Sequence, residues 1–383
     1  MTLRALQTLQ IGMGWFPEQA GGLNRVYYHL MDALPRAGVG VRGLVAGSPD
    51  VTAQTEGRVA AFAPGAASLP VRWHQVRRHA MHILAEQECD LVAAHFALYA
   101  APLGRHLRDA PLVVHFHGPW AQEGVIEGHG NLRTRAKLGI ERFVYRRAER
   151  FIVLSEAFRD RLHHSYGVPL EAVRVVPGGV DTQRFATGLT RAQARHRLGW
   201  PQDRPLVLTV RRLQRRMGLE TLVAAMKTVR DTVPEALLMI AGQGPLTTAL
   251  KARIDALGLH EHVRLLGFVP DADLPPAYRA ADLTVVPTVA LEGFGLVTVE
   301  ALAAGTPVLV TPVGGLPEIV RNLSPSLVLP GFDAASLADG LAGALRQTFP
   351  LPDAAACQAY AQAHYAWPVV ARRVRAVYEE VLG

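Results

Sequence analysis

The chain has 383 residues, of which 49% are hydrophobic and 19% charged, and its formal net charge is +7. This composition excludes an intrinsically disordered chain, and the length fits two folded domains better than one. No apolar run reaches the ~18 residues that a membrane-spanning helix needs, and the first residues lack the long apolar stretch of a signal peptide. We therefore expect a cytoplasmic protein. Its two cysteines, Cys89 and Cys357, fit no metal spacing, and we expect them to be reduced and buried.

The positive charge is concentrated between Asn131 and Arg150, a stretch with seven basic residues and two acidic ones, Glu141 and Glu149, and therefore a net charge of +5. A solvated helix face explains such a patch, and so does an anionic partner, either a membrane surface or an anionic acceptor. A membrane would place the protein at the inner face, with an aromatic anchor from a neighbouring helical stretch that carries Trp73, Arg77 and Arg78. Nucleic acid is not expected as a partner, because zinc spacings, a helix-turn-helix pattern and ribonucleoprotein motifs are missing from the sequence.

Short apolar runs alternate with helical stretches along the chain, which predicts parallel, doubly wound sheets with ligands beyond the carboxyl ends of the strands. In the first half these runs are Leu6–Ile11, Val41–Ala46, Leu91–Phe96, Leu112–Phe116, Phe151–Leu154 and Val173–Val176. In the second half they are Leu206–Val210, Leu237–Ile240, Val263–Leu266, Leu283–Val286 and Val308–Val310. A polar connection between the two series marks the domain boundary.

Glycines follow the first predicted strand. Gly12 and Gly14 imitate a dinucleotide-binding fingerprint, but the third glycine is missing and Pro17 interrupts the expected helix start. A dehydrogenase is therefore not favoured. The pair Gly21 and Gly22 precedes an amphipathic helix, and this arrangement sets backbone N–H groups near a ligand phosphate or an acceptor, although a plain turn has the same pattern.

Two histidines, His115 and His117, end the strand that begins at Leu112. Alternation along a strand puts both on the same face. A metal site would require a third ligand that the sequence does not supply, so we predict no metal there. A neutral imidazole that binds a sugar hydroxyl and a hydrogen-bonded core histidine both remain open.

In the second half, an arginine-rich loop follows the strand Leu206–Val210: Arg211, Arg212, Arg215 and Arg216. Several guanidinium groups at the carboxyl end of a strand favour a diphosphate ligand. The next predicted strand ends at a turn that contains Gly242 and Gly244, and the strand after it ends before Phe268. Asp271 and Asp273 form a D-x-D pattern, which elsewhere binds metal, but they precede a helix and are predicted to cap it instead.

The segment Leu291–Val310 places two carboxylates in apolar surroundings. Glu300 falls in the middle of a predicted helix without a polar face, so it needs a partner, either a sugar or ribose diol or an internal arginine. Glu292 lies in the glycine-rich approach to this helix, where free N–H groups form an anion or hydroxyl site. Taken singly, each glutamate also fits a structural role.

The stretch EGFGLVTVEALAAGTPVLVTPVGGLPEIV resembles the donor-binding segment of retaining glycosyltransferases of family 4, the group 1 family with the GT-B fold. The segments FIVLSE and VPGGVD also resemble parts of that family, except that Gly178 stands where asparagine is usual. The resemblance implies two Rossmann-like domains that face each other across a cleft. It covers nearly the whole chain, with a first domain over 1–187, a linker over 188–203, a second domain over 204–365 and a C-terminal helix over 366–383 that crosses back.

The resemblance also implies roles for individual residues. His117 matches a histidine close to the reacting sugar, and Arg212 matches a phosphate-binding arginine. Met217 stands where the family has a lysine, so Arg215 or Arg216 is expected to supply its charge. Glu292 would hold sugar hydroxyls and Glu300 the ribose diol. Backbone and loop contacts to the donor are assigned to Gly22, Gly242, Gly244, Phe268, Phe294, Gly295 and Leu296.

The implied reaction is metal-independent transfer of a sugar from a nucleoside diphosphate sugar, with UDP favoured, to a hydroxyl of a sugar, glycolipid or small molecule. The anomeric configuration is retained, and no cofactor takes part. A catalytically silent sugar-nucleotide-binding subunit and a GT-B sugar-nucleotide epimerase are the alternatives. A phosphorylase of this fold would require a pyridoxal-bearing lysine, and none of the three lysines stands at a motif.

Overall fold

We analysed a computed structural model of the protein, which describes residues 6–86, 89–108, 110–122 and 131–383. These residues form two compact units. The first contains residues 6–179 and Trp367–Gly383, and the second contains Val180–Ala366. Each unit is built around one sheet whose strands pair in parallel, with helices in the crossovers. Both sheets are therefore Rossmann-like, as the alternating apolar runs predict.

The seven-stranded sheet of the first unit has the order β3-β2-β1-β4-β5-β6-β7. Its strands are β1 (Leu6–Gly14), β2 (Val39–Ala46), β3 (Val59–Ala63), β4 (Leu91–Ala94), β5 (Leu112–Phe116), β6 (Arg150–Val153) and β7 (Val173–Val175). The five-stranded sheet of the second unit has the order β10-β9-β8-β11-β12. Its strands are β8 (Leu206–Val210), β9 (Leu237–Ala241), β10 (Val263–Gly267), β11 (Leu283–Val286) and β12 (Val308–Val310).

Helices connect and cover the strands. In the first unit they are α1 (Gly22–Arg36), α2 (Asp50–Gln54), α3 (Leu69–Glu86), α4 (Ala97–Ala100), α5 (Asn131–Tyr145) and α6 (Glu156–Tyr166). In the second unit they are α7 (Thr182–Phe185), α8 (Arg191–Leu198), α9 (Leu219–Thr232), α10 (Thr247–Ala256), α11 (Leu274–Ala280), α12 (Leu296–Ala303), α13 (Leu316–Val320), α14 (Ala334–Leu345) and α15 (Ala354–Tyr365). The terminal helix α16 (Trp367–Leu382) belongs to the first unit.

The strand order fixes where a ligand site can form. In the first sheet the order reverses between β1 and β4, and in the second between β8 and β11. At such a point the loops after the two strands run in opposite directions and leave a crevice at the carboxyl edge. The arginine-rich loop follows β8, and the loop that carries Glu292 follows β11. The arginine-rich loop and the loop that carries Glu292 therefore begin on adjacent strands, at the point where the order reverses.

The residues 188–203 differ from the polar linker that the sequence predicts. They contain α8, which starts with a capping box in which Thr190 and Gln193 satisfy each other's backbone N–H groups. Arg195 of this helix is buried, and it donates to the carbonyl of Ala280 and to the carboxylate of Asp282. Arg195 therefore packs inside the second unit and is not part of a solvated linker, which the composition of this stretch does not reveal.

The helix α16 packs within the first unit. Its first residue, Trp367, stacks on His29 of α1 with ring centroids 5.2 Å apart, and it lies against Gly179, where a side chain would overlap the indole ring. Further along, Tyr378 is fully buried. The terminal helix thus adds buried aromatic groups to the first unit.

Several smaller expectations can be compared with the structure. Cys357 is buried and Cys89 is half-buried, and neither forms a disulfide. Asp273 occupies the N-cap position of α11 but makes no capping hydrogen bond, and Asp271 pairs with Arg184 at 2.6 Å. Among the described residues, no helix is both long enough and apolar enough to cross a bilayer.

Candidate active site

The predicted site residues are divided between the two units. Gly22 and His117 lie in the first unit, and the arginine, glycine and glutamate residues of the predicted donor site lie in the second. In the second unit they follow the carboxyl ends of successive strands, and backbone hydrogen bonds link their loops. Leu213 donates its N–H to the carbonyl of Gln243 at 3.0 Å, and Gly242 donates to the carbonyl of Gly267 at 2.7 Å.

The centre of this arrangement is an ion pair between Arg211 and Glu292. The guanidinium of Arg211 donates to a carboxylate oxygen of Glu292 and to the hydroxyl of Thr288, and that hydroxyl lies 3.2 Å from the same carboxylate oxygen. The side chains of Arg211 and Glu292 keep only 7% and 12% of their exposure. A buried carboxylate without such partners would be strongly destabilising.

The pair decides the charge state of Glu292. Burial by itself works to raise the pKa of the Glu292 carboxyl, but the charge and hydrogen bond of Arg211, together with the charge of Arg216 and the Thr288 hydroxyl, lower it below its usual value. Glu292 is therefore ionised at neutral pH. An ionised carboxylate accepts hydrogen bonds only, which suits hydroxyl groups of a sugar.

The backbone around Glu292 is also fixed. Leu291 has a φ of 51°, a left-handed conformation that a leucine rarely adopts, and its carbonyl accepts from Arg216 at 3.0 Å. The carbonyl of Glu292 accepts from the N–H of Gly315 at 3.1 Å. Strained backbone that is held by its surroundings is typical of functional sites. The loop after β11 thus has side-chain and backbone contacts that keep Glu292 in one place.

The remaining arginines of the loop differ in exposure. Arg212 and Arg215 are exposed, and Arg216 is half-buried because it reaches the Leu291 carbonyl. Met217 is only 5% exposed, so its thioether packs into the core and offers nothing to an anionic ligand. Two exposed guanidinium groups, Arg212 and Arg215, therefore remain for an anionic ligand.

The glycines after β9 are required by close backbone contacts. Gly242 has a φ of 138°, and a Cβ there would overlap the carbonyl of Arg211. A Cβ at Gly244 would meet the carbonyl of Leu213 at 2.5 Å. These glycines let the loop after β9 lie directly against the arginine loop. Phe268, which follows β10, is 69% exposed, an unusual position for a large apolar ring and one open to a planar ligand.

The helix α12 begins next to Glu292 and carries Glu300. Gly295 precedes it in a left-handed conformation with a φ of 87°, where a Cβ would meet Leu316 at 2.5 Å. Leu296 is half-buried and Phe294 is buried, with its ring 5.8 Å from that of Tyr365. Phe294 thus anchors the loop through its side chain and leaves only its backbone for a ligand.

Glu300 is 6% exposed and accepts a hydrogen bond from the hydroxyl of Tyr278 at 2.9 Å. The sequence suggests an arginine or a ligand diol as its partner, and it does not identify this tyrosine. Tyr278 comes from α11, which packs next to α12. The position in α11 reads as an ordinary buried aromatic residue, so pattern alone gives no sign of the contact.

In the first unit, Gly22 opens α1 after Gly21, whose φ of 157° and ψ of 149° form a conformation that glycine adopts readily. The buried Asn24 fixes this turn, because its side-chain oxygen accepts from the N–H of Gly14 at 3.1 Å and its amide donates to the carbonyl of Gln19 at 3.1 Å. β1 extends to Gly14, three residues beyond the predicted end at Ile11. The glycine turn is therefore an ordered connection between β1 and α1.

Three histidines stack at the carboxyl edge of the first sheet. His117 follows β5, His115 lies within it, and His95 follows the neighbouring β4. The rings are nearly parallel, with centroid distances of 4.0 Å between His95 and His115 and 5.6 Å between His95 and His117. Burial lowers the pKa of His117 to about 4 and holds the pKa values of the other two well below the usual range, helped by the neighbouring imidazoles.

His95 corrects the sequence analysis on one point. The sequence shows no third metal ligand for His115 and His117, whereas the structure places His95 beside them, with one nitrogen from each ring within 4.8 Å of the others. The sequence could have indicated it, because His95 directly follows a strand, where functional residues collect. The same rule applies to Arg211, the first residue after β8, which the sequence groups with the diphosphate-binding arginines and which the structure pairs with Glu292 instead.

Trp73 does not provide the aromatic membrane anchor that the sequence suggests. It is half-buried and packs against the hydrophobic core of the first unit. Arg77 and Arg78 of the same helix are exposed. Among the described residues, the exposed large apolar side chains of α3 are Leu69 and Val71, and those of α5 are Leu132 and Phe143.

Comparison with known proteins gives family matches in both halves of the chain. The family model described as glycosyl transferases group 1 matches residues 190–364, and that of Glycosyltransferase Family 4 matches residues 20–184. D-inositol 3-phosphate glycosyltransferase 1 of Catenulispora acidiphila is 33% identical over 310 residues, which cover 78% of this chain and 74% of that protein. The GDP-mannose-dependent alpha-(1-6)-phosphatidylinositol monomannoside mannosyltransferase of Mycolicibacterium smegmatis is 33% identical over 257 residues, 64% of this chain and 66% of that protein.

Solved structures resemble the whole chain. Sucrose-phosphate synthase from Thermosynechococcus elongatus has a TM-score of 0.76 at 24% identity, with 98% of this chain and 99% of that chain covered. HepE of Anabaena in complex with UDP also has a TM-score of 0.76, at 22% identity, with 98% and 100% covered. These likenesses concern the fold, and they confirm the GT-B fold class predicted from the sequence.

Proposed function

The chain belongs to the group 1 and family 4 glycosyltransferases, and from this premise we propose that it transfers a sugar from a nucleoside diphosphate sugar to a hydroxyl acceptor with retention of anomeric configuration. The observation that carries the proposal lies where the strand order of the second sheet reverses. There an ionised Glu292, fixed by Arg211, follows β11, and two exposed arginines follow β8. A sugar diphosphate requires a carboxylate that binds its hydroxyl groups and guanidinium groups that bind its phosphates.

In the proposed reaction the bond between the anomeric carbon and the diphosphate oxygen breaks, and a bond from the acceptor oxygen to that carbon forms on the same face. The acceptor proton passes to the leaving phosphate oxygen, so the protein supplies no nucleophile. The departing diphosphate gains negative charge, and positively charged donors placed beforehand lower the barrier to this step. Arg212 and Arg215 are the exposed guanidinium groups for that role, and we propose that transfer needs no divalent metal and no cofactor.

We assign Arg216 a different part. It holds the Leu291 carbonyl and lowers the pKa of Glu292, so it acts on the charge and position of that carboxylate as well as on the electrostatic field at the site. Glu292 and the backbone N–H groups at the start of α12 hold sugar hydroxyls, and Glu300 holds the ribose. For His117, in the first unit, we propose that it binds a sugar hydroxyl as a neutral imidazole.

Met217 makes the arginine assignment testable. A thioether cannot neutralise a phosphate, and Met217 is packed in the core, so its replacement by lysine should give little gain in activity. Arg212→Ala and Arg215→Ala should each lower kcat by about 10²–10³-fold, the typical effect of one lost transition-state donor. If both arginine variants kept wild-type turnover while Met217→Lys raised it sharply, the native chain would be a sugar-nucleotide-binding subunit, and the enzyme proposal would fail.

The donor base and the acceptor require direct measurement. UDP is the nucleotide that we favour, and the relatives' names add GDP-mannose as a donor and inositol 3-phosphate as an acceptor to be tested. Calorimetric titration with UDP, GDP and ADP identifies the base, and mass spectrometry with sugar, glycolipid and inositol phosphate acceptors identifies the product. Interconversion of the donor without an acceptor would instead favour an epimerase.

We further propose that the protein resides in the cytoplasm and binds anionic lipid at the inner face of the membrane through α5. The helix exposes Leu132 to 82%, and the exposed residues beside it include Arg133, Arg135, Arg142 and Arg146. Glu141 is buried and accepts from Tyr166 at 2.8 Å, so it faces away from this surface. Each basic side chain near an anionic membrane contributes about 1 kcal/mol. Co-sedimentation should rise with anionic lipid and fall with salt; equal binding to neutral and anionic vesicles would refute the proposal.

A further inference from the structure

The histidine stack of the first unit is part of a directional hydrogen-bond chain that starts at Thr8 in β1. The Thr8 hydroxyl donates to the carbonyl of Gly40 at 2.9 Å, so towards Gln10 it can only accept. Its partner at 2.9 Å is therefore the amide nitrogen of Gln10, and the amide oxygen of Gln10 faces His95. All of these groups are buried, which makes one orientation of the amide far more favourable than the other.

The orientation of Gln10 determines which nitrogens of the histidines carry protons. The Gln10 oxygen lies 2.9 Å from Nε2 of His95 and cannot donate, so Nε2 carries the proton. Because His95 is neutral, its Nδ1 has a lone pair, which faces Nε2 of His117 at 3.3 Å. Nε2 of His117 must then carry the proton that it donates to His95. This leaves Nδ1 of His117 as an acceptor, and that atom is buried without a hydrogen-bond partner among the residues that the structure describes.

The same geometry argues against a metal ion at the three histidines. A coordinated metal lies close to the plane of each imidazole ring, because the nitrogen lone pair lies in that plane. The rings of His95 and His115 are stacked 4.0 Å apart with an angle of 20° between them, so their lone pairs run side by side and do not converge. Both nitrogens of His95 also have hydrogen-bond partners already.

We propose that His95 is a positioning residue that, together with Gln10, holds His117 as the neutral Nε2–H tautomer and keeps its Nδ1 as an acceptor for a hydroxyl of the bound substrate. The part that concerns the substrate rests on the proposed glycosyl transfer, whereas the tautomer does not. A buried acceptor without a partner is destabilising, because it has lost its hydrogen bonds to water. A hydroxyl that donates to it removes this penalty, and a group without a proton does not.

The terminal helix α16 provides a matched control. The Tyr378 hydroxyl lies 2.7 Å from Nε2 of His115, 3.2 Å from the Gln10 amide nitrogen and 3.4 Å from the Gln10 amide oxygen. The Tyr378 hydroxyl therefore contacts the histidine stack at His115. When this hydroxyl is removed, the hydrogen bond to Thr8 still fixes the orientation of the Gln10 amide. Tyr378→Phe should keep the tautomer of His117, whereas Gln10→Met removes the oxygen on which the tautomer depends.

The test is 15N-edited proton NMR of histidine-labelled protein, which distinguishes protonated from unprotonated ring nitrogens without any need for activity. Wild type and Tyr378→Phe should show His117 protonated at Nε2 only, and Gln10→Met should show a mixture of tautomers. His95→Gln, which keeps an acceptor next to His117, should retain more of the Nε2–H form than His95→Leu. Protonation of wild-type His117 at Nδ1 would overturn the proposal, and so would tight stoichiometric binding of Zn²⁺ that disappears in His95→Gln.

The substrate part is tested separately, by steady-state kinetics with UDP-glucose and GDP-mannose. Gln10→Met should change KM or kcat by about 10-fold or more relative to Tyr378→Phe, the range for one lost hydrogen bond to a substrate. A correct tautomer with equal kinetics in the two variants would refute the substrate role alone. No turnover of any donor by wild type would refute the glycosyltransferase proposal and would leave the tautomer assignment standing.

Discussion

The ion pair between Arg211 and Glu292 gives the sharpest stability prediction. In Arg211→Met a side chain of similar length replaces the guanidinium, and the Glu292 carboxylate loses its principal partner while it stays 12% exposed. Breaking a buried ion pair by removing one member is typically destabilising by ~3–5 kcal/mol. Arg216 and the Thr288 hydroxyl still favour the ionised form, so we expect about 3 kcal/mol at pH 7.5, the lower end of that range.

The predicted loss depends on pH, and its sign follows from the pKa of Glu292. In the wild type this pKa is lowered, so the pair stabilises the fold above the unfolded pKa of about 4.3 and ceases to do so as the pH falls through the folded value. In the Arg211→Met variant, burial raises the pKa of the Glu292 carboxyl, so the variant loses stability as the pH rises above about 4.3. The difference between variant and wild type should therefore be largest near pH 7.5 and shrink to roughly half or less near pH 4.5.

The difference in the free energy of unfolding is measured by urea unfolding, monitored through pulsed hydrogen exchange of peptides that cover β11 in the second unit. The control is Arg212→Met, which removes an exposed guanidinium from the same loop and should change the free energy of unfolding by no more than ~0.5 kcal/mol. A loss below about 1 kcal/mol for Arg211→Met at pH 7.5, or an equal loss at both pH values, would refute the role given to the pair.

Three further predictions concern the second unit. Glu300→Gln should weaken nucleoside diphosphate binding by roughly 1.5–3 kcal/mol in calorimetry, because an amide satisfies only part of the hydrogen-bond geometry that the carboxyl group offers to a ribose diol. Unchanged affinity in a folded variant would argue against the ribose assignment. EDTA should leave most transferase activity intact, and a strict requirement for Mg²⁺ or Mn²⁺ would return Asp271 and Asp273 to consideration. Gly242→Ala should lower the free energy of unfolding by about 1–3 kcal/mol, because the new Cβ would overlap the Arg211 carbonyl. The control Gly258→Ala should lower it less, because nothing lies within 4 Å of a Cβ at that position. Equal losses in the two variants would contradict the close contact at Gly242.

The fold class could be predicted because parallel strands buried on both faces leave continuous apolar runs in the sequence. Every residue of β5 and β9 is buried, and both strands stand out as such runs. The helix α8 could not be recognised in the same way. Its sequence is rich in arginine, and only the buried contacts of Arg195 turn a polar stretch into part of the second unit.

The candidate site was predictable where a motif has a fixed spacing, and less so where partners come from distant parts of the chain. Glu292 and Glu300 are recognisable from their surroundings in one segment, but Arg211 lies 81 residues before Glu292, and Tyr278 comes from another helix. The same holds for His95, which is 22 residues from His117. Such pairs depend on strand order, and strand order is a property of the folded sheet.

The most direct test of the proposed function is the anomeric configuration of the product, measured by proton NMR after reaction of an α-linked donor, UDP-glucose or GDP-mannose, with the acceptor that the mass-spectrometric screen identifies. We predict an α-linked product, with turnover that falls by about 10²–10³-fold in Arg212→Ala. A β-linked product would contradict the same-face mechanism. Nucleotide binding without transfer to any acceptor would contradict the enzymatic function itself.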